Sequence, residues 1–187
     1  MSGPNLTPGD PLGGAQPVRP PVAPPAASPA TGPQLELAGW WRRVGAQAID
    51  GLIIGIVALI LIVPFGIGAI GADTDGGVVA AAIGILVSGL VVVVVALIYA
   101  PLLMAKTNGQ TLGRMATGIR VVRTSGQPMD FSTAALREVV FKALLIGTIA
   151  NTFTFGLASL LDVLWPLWDE ENRALHDFPA HTRTVVA

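Results

Sequence analysis

The sequence predicts an all-α membrane bundle: two long transmembrane helices, a broken pair of shorter apolar helices, and a small cytoplasmic two-stranded β element. Three observations point there. Hydrophobic residues make up 52% of the 187 residues and charged ones only 12%, about half the charged share of an ordinary soluble domain. Two apolar runs, Val44 to Val63 and Val78 to Met104, hold a single charge between them, Asp50, and each is long enough at about 1.5 Å per residue to cross a hydrocarbon core of about 30 Å. Basic residues flank the start of the first run (Arg42, Arg43) and the end of the second (Lys106, Arg114, Arg120, Arg123). By the positive-inside rule both of those ends face the cytoplasm.

The composition also excludes. With a net charge of -1, bulk charge gives no reason to expect a nucleic-acid partner. The chain has no cysteine, so disulfides, thiolate-zinc sites and thiol chemistry are ruled out.

Taken in order, residues 1–37 read as a disordered, Pro-rich cytoplasmic tail. Ten of the 15 prolines fall before residue 36, and such a stretch forms neither helix nor ladder. Pro17-Val18-Arg19-Pro20 matches the PxxP pattern, but a solvated tail accounts for it. The tail lacks the charged start and apolar run of a signal peptide, so the first apolar segment is expected to remain as an anchor.

The first span is expected over about 41–63, from a membrane-water boundary marked by Trp40–Trp41 and Arg42–Arg43, with Pro64 ending or kinking it. Gly51 and Gly55 form a GxxxG pair that would permit close helix approach. Residues 64–77 read as an outside loop carrying Asp73 and Asp75. Gly66-x-Gly68-x-x-Gly71 within it matches the dinucleotide fingerprint by letter only, with no strand-helix unit around it. The second span is expected over about 78–104, long enough to tilt. Residues 107–131 are polar, and Ile119 to Arg123 reads as a strand ended by Ser125-Gly126. Thr182 to Val186 reads as its partner, which requires both to lie on the cytoplasmic side. Residues 132–168 would be about 55 Å as one straight helix. Asn151, Thr152, Thr154 and Gly156 break them into segments at about 134–149 and 155–168. A tilted pair or a re-entrant hairpin returns the chain to the cytoplasm; one broken span would leave the far end outside.

Three groups of residues resemble the RDD family of bacterial membrane proteins, named for one arginine and two aspartates. They are Arg43-x-x-Ala46-x-x-Ile49-Asp50; Asn108-Gly109-Gln110-Thr111-Leu112-Gly113-Arg114, continuing to Gly118-Ile119-Arg120-Val121-Val122; and Trp165-Pro166-Leu167-Trp168-Asp169 with Arg173-Ala174-Leu175-His176-Asp177, closing at Ala180 and Thr182. The resemblance covers residues 38–187. It implies a multi-pass protein of the bacterial inner (plasma) membrane whose molecular role is mostly unassigned, with transport proposed. Arg43 and Asp50 correspond to the family's arginine and first aspartate. Asp177 corresponds best to the second, with Asp169 the other candidate. His181 stands where the family usually has a small residue, often glycine, which bears on the local turn.

A carboxylate at bilayer depth costs about 2.5–3.5 kcal/mol on insertion scales, and residue count from Trp40 puts Asp50 near half-depth. Arg43, Gln47 and Asp50 share one helix face. Helical side chains lean toward the helix N-terminus, so Arg43 is expected to snorkel to the headgroups and leave Asp50 to another partner. Arg137 is the expected one, in a buried pair that fixes register more than it adds stability. Asp162 is a second acid in apolar sequence, either a relay partner of Asp50 or a structural cap. Asp177 is expected to accept backbone N–H groups or to pair with Arg114 or Arg120. Asp169 and Arg173, four apart, suit a helical ion pair. A metal at His176 would need His181 and acids as well, so neither metal nor cofactor is expected, and no Ser-His-Asp signature suggests an enzyme. The reading that results is a membrane scaffold or assembly module. Its partners are the lipid bilayer and a membrane protein or second copy, with no nucleic acid. The alternative is a small-ion or proton-coupled transporter working as an oligomer.

Overall fold

A computed structural model describes residues 35–187; the tail reading for residues 1–34 lies outside the described residues. Two antiparallel helices dominate. Helix α1 runs Trp40–Ile70 and α2 runs Asp75–Lys106, and both are long and apolar enough to cross a membrane. Pro64 does not end α1. A proline removes one backbone donor, and here the turns on either side carry the helix on to Gly71, whose N–H reaches the Ile67 carbonyl at 3.1 Å. The loop expected over 64–77 therefore shrinks to a short turn. Thr74 then caps α2 by accepting from the Gly77 amide at 3.1 Å, and Asp75 puts a negative charge in its first turn.

Among the described residues nothing makes the expected close approach at Gly51 and Gly55: a Cβ at either would meet nothing within 4 Å. The helices meet instead at Gly84, where a Cβ would overlap the Phe65 ring. Nearer the other end, the Tyr99 hydroxyl donates to Asp50 at 2.8 Å. Phe65 lies as far along α1 from Asp50 as Gly84 lies from Tyr99 along α2, so one antiparallel register satisfies both contacts.

Beyond α2, within the stretch expected only to be polar, Thr111 caps a short helix, α3 (Leu112–Ala116), by accepting from the Arg114 amide. Strands β1 (Ile119–Arg123) and β2 (Thr182–Val186) pair antiparallel, Ile119 opposite Val186 and Arg123 opposite Thr182, as expected. Glu36 to Ala38 run along the other edge of β2, through Val186 N–H to the Glu36 carbonyl at 2.8 Å and Ala38 N–H to the Thr184 carbonyl at 3.0 Å. His181, just before β2, has φ 50, the left-handed region glycine favours, so the substitution noted at this turn keeps a glycine-like backbone.

Residues 131–154 form one continuous helical rod: α4 (Phe131–Ala135), a π-helix (Leu136–Ala150) and α5 (Asn151–Thr154). It breaks at Phe155 and Gly156, with φ 51 and 91, and returns as α6 (Leu157–Leu164) and a 3-10 turn (Trp165–Leu167). The break comes after Asn151 rather than at it. Asn151 instead braces the hairpin, accepting from the Ser159 amide at 2.8 Å and donating to its hydroxyl at 2.6 Å. The tip is bare, with Phe155 96% exposed. Both feet of the hairpin return to the same end of the bundle, because Arg137 and Asp162 enter one cluster there. The apolar core sits at that end, in two groups: Met104, Val121, Met129 and Ala134, and Ala38, Ala46 and Ile119.

Candidate functional site: a buried cluster of charges

Asp177 is the hub. A 3-10 turn (Leu175–Asp177) carries it into the interior, where it is 0% exposed. Its Oδ1 accepts from Arg137 through Nε at 2.8 Å and Nη2 at 2.7 Å, and from the Thr182 hydroxyl at 2.9 Å. Its Oδ2 accepts from the Ala174 amide at 3.0 Å and from Arg43 Nη1 at 3.4 Å. Burial alone would raise its pKa, but the guanidinium of Arg137, then that of Arg43 and the Ala174 amide, outweigh it and hold the carboxyl well below its ordinary range.

Arg43 does not snorkel outward. It is buried on α1, donating to the Ala38 carbonyl at 3.4 Å and the Thr184 carbonyl at 3.3 Å besides Asp177. The side chain does lean toward the helix start, as expected, but what it meets there is β2 and the Asp177 turn. One guanidinium thus ties α1 to the strand and the 3-10 turn.

Arg137 is not the partner of Asp50. It is spent on Asp177 and on Glu138, with Thr182 Oγ1 at 3.2 Å. Glu138 in turn takes Arg114 Nη2 at 2.5 Å and lies 3.7 Å from Lys142 Nζ. The π-helix helps here: its i to i+5 spacing brings Arg137 and Lys142 onto one face, and both line the same cavity. Arg114 binds neither aspartate; it goes to Glu138 and the Met104 sulfur. Nor does Arg120, the other expected partner of Asp177, reach it; among the described residues its Nε is buried without a partner.

Asp50 is held by neutral donors. Tyr99 gives its hydroxyl at 2.8 Å, Thr111 its hydroxyl at 2.5 Å, and Gly113 its amide at 2.8 Å. The carboxylate thereby clamps α3 and α2 against α1. Gly113 is required by that closeness, since a Cβ there would overlap the Ala46 carbonyl oxygen and crowd the Asp50 carboxyl. Gly109 is required twice over, by φ 101 and by the Val121 carbonyl lying where a Cβ would go.

Asp162 and His176 form a second buried pair, and Asp162 makes no contact with Asp50. Both carboxylate oxygens lie 2.8 Å from His176 Nδ1, and the His176 amide donates at 3.1 Å. The carboxylate fixes the tautomer with hydrogen on Nδ1. Among the described residues His176 Nε2 is buried without a hydrogen-bond partner, 4.0 Å from Asp177 Oδ1. Burial, then Arg137, lowers the His176 pKa below its ordinary value despite the opposing aspartates, so the ring is neutral. A cavity of about 30 Å³ lies beside it, lined among others by Arg43, Gln47, Lys142 and Asp162. Gln47, Arg114 and Lys142 also line the groove at Asp50. Asp169 and Arg173 pair at 3.0 Å, outside the cluster, but across a turn and not on the helix their spacing suggested; the bond from Arg173 lowers the Asp169 pKa. Among the described residues no three His, Asp or Glu side chains converge as a metal site would need.

Sequence reasoning passed over Tyr99, Glu138, Lys142 and Thr184 as site residues. Two carried a signal. Tyr99 is the chain's single tyrosine, set in an aliphatic helix, and a phenol there needs a partner. Glu138 is the one acid in the third apolar segment, beside Arg137.

The model of the RDD family matches residues 37–181, a stretch that holds Arg43, Asp50 and Asp177. Over 150 residues the chain is 27% identical to the uncharacterized protein YckC of Bacillus subtilis (strain 168), which spans 80% of this chain and 85% of the relative. No solved structure matches.

Proposed function

The chain belongs to the RDD family, and on that premise we propose that it is a membrane scaffold or assembly module without catalysis. Its signature charges would fasten a cytoplasmic head to two membrane helices. One observation carries this reading: Asp177 spends both oxygens on five donors in a fully buried site. A carboxylate so saturated suits a fixed joint better than a carrier that must bind and release.

The clamp at Asp50 also fits a boundary. Its partners Thr111 and Gly113 belong to the polar loop, which argues for the headgroup level and not the half-depth that residue count suggested. From Gly51 to Ile70 there is no charged residue, and at about 1.5 Å per residue that stretch is roughly 30 Å long, one hydrocarbon core. Asp73 and Asp75 then fall on the far side and the basic residues on the near one, consistent with cytoplasmic ends in a bacterial inner membrane. The hairpin of residues 143–161, uncharged and with both feet at the head, suits a re-entrant element better than a crossing. Expected partners are the bilayer and a second copy or another membrane protein, with no nucleic acid.

A second reading, small-ion or proton-coupled transport by an oligomer, has one observation in its favour: a groove of about 310 Å³ reaches Asp50. Ion flux into proteoliposomes separates the two. Under the scaffold reading, sodium, potassium and proton gradients each give the leak of empty vesicles, with or without Asp50→Asn. A flux that Asp50→Asn abolishes would overturn it in favour of transport.

A further inference from the structure

The groove at Asp50 has an uneven charge that the fastening role does not use. One wall is Asp50, a carboxylate that accepts only from neutral donors; among the described residues it is in no ion pair. Glu138 also lines the groove, a single carboxylate shared by Arg114, Arg137 and Lys142. Lys142 and Arg114 both line the groove; the Lys142 side chain is 30% exposed, whereas the Arg114 guanidinium is engaged by Glu138 and the Met104 sulfur. The groove is therefore lined by an acid in no ion pair, Asp50, and by two cations, Arg114 and Lys142, that share Glu138. Between them its surface is small and apolar, with Gly51, Ile54, Ala96 and Ala100.

A ligand matched to that pattern carries an ammonium and an anion close together. The ammonium would meet Asp50, and the anion would meet Lys142. We propose that this groove binds the zwitterionic headgroup of an aminophospholipid, its primary ammonium on the Asp50 carboxylate and its phosphate on the Lys142 ammonium. The choice of a lipid over a free zwitterion rests on the groove's position between α1 and α2, whose apolar windows are 0% and 11% buried. It therefore rests on the reading above that these helices lie in a bilayer. Three hydrogen-bond donors hold the Asp50 oxygens in place, so the carboxylate is preorganised for its ligand. A primary ammonium can donate to it as a charge-assisted hydrogen bond; a quaternary one cannot.

The test uses the full chain in detergent micelles doped with phosphatidylethanolamine, phosphatidylglycerol or phosphatidylcholine, with retained lipid counted by native mass spectrometry. Phosphatidylethanolamine should be held about tenfold better than the other two, the ratio expected for one charge-assisted hydrogen bond. Asp50→Asn should erase that preference. Lys142→Gln should weaken all three alike. Because Asp50→Asn also loosens the clamp on α3, Gly51→Leu gives an independent arm. Its new side chain starts in open space on the groove's lining and leaves every charged residue in the sequence, so it should lose the lipid and keep the fold. Equal retention of the three lipids, or unchanged retention in Gly51→Leu, would overturn the proposal. Displacement of the lipid by free phosphoethanolamine at equal concentration would overturn the lipid source in favour of a soluble zwitterion. Fractionation of cells expressing the chain keeps the two readings separate: recovery in the soluble fraction contradicts the bilayer placement itself, whatever the headgroup result.

Discussion

Replacing Asp177 by Asn removes one charge and almost no volume. The Oδ1 side of the new amide can still accept from Arg137 and Thr182. The other side becomes an NH2 group facing the Ala174 amide and Arg43 Nη1, donor against donor. Each buried donor left unpaired costs about 1–3 kcal/mol, and removing one partner of a buried ion pair costs about 3–5 kcal/mol in total. For a chain of this size about 1 kcal/mol moves the midpoint by about 2–4 °C, so the melting temperature should fall by roughly 10 °C. Tryptophan fluorescence during thermal unfolding in detergent reads this directly. Glu171→Gln is the control: its carboxylate is 45% exposed and lies 3.6 Å from Arg173, outside the cluster, and such a surface pair is worth about 0.2–1 kcal/mol, about 4 °C at most. Arg43→Gln combined with Asp177→Asn should cost less than the sum of the two, because Arg43 no longer faces donors. A fall under about 2 °C for Asp177→Asn, or strict additivity with Arg43→Gln, would refute the idea that the cluster fastens the head.

Gly113→Ala should destabilise by about 1–3 kcal/mol, as overpacking does, since its methyl has no room beside the Ala46 carbonyl. Gly55→Ala, in open space, should cost nothing and gain up to about 1 kcal/mol of helix propensity; the pair of melting curves checks both. Asn151→Ala removes the brace across the hairpin tip, so the Ser159 amide should exchange with solvent about tenfold or more faster, by loss of about one hydrogen bond or two. Stability should also fall with acid in two stages. His176 has a lowered pKa in the fold, so the unfolded chain takes up that proton first; its contribution is complete above about pH 6.5 and is lost as pH falls below. Asp177 has a lowered pKa too; its contribution is complete above about pH 4 and is lost below that. His176→Asn should remove the upper stage, and a midpoint that stays flat from pH 7 to pH 5 in the unaltered chain would contradict the assignment.

The long helices and the strand pair were legible because their signals are local. An unbroken apolar run is visible within its own window, and two five-residue strands carry their own β-branched residues. The cluster was not legible, because its bonds join residues far apart: Arg43 to Asp177 spans 134 positions. The expectation for Asp50 failed for a more specific reason. An acid among apolar residues suggests a base, but two hydroxyls and a backbone amide satisfy this one, and an amide carries no letter in the sequence. Helix length was underestimated at Pro64 because one missing donor was weighed as a stop. The π-helix that sets Arg137 beside Lys142 has no residue pattern that announces it.

The joint between α1 and β2 has a consequence for synthesis. Arg43 reaches the Thr184 carbonyl across 141 positions of chain, so the first charged residue of the site waits until the ribosome has supplied Thr184. At about 5–20 residues per second that interval is roughly 7–30 s. During it α1 and α2 can already be paired through Phe65 and Gly84, while Arg43, Arg137 and Glu138 remain without their hub. The two apolar helices and the charged head thus mature on different clocks, and a nascent chain stalled before Asp177 would carry a finished hairpin with an open, positively charged base. Such a half-made product is distinguishable from the finished one by protease: cleavage at Arg43 and Arg137 should stop when β2 arrives.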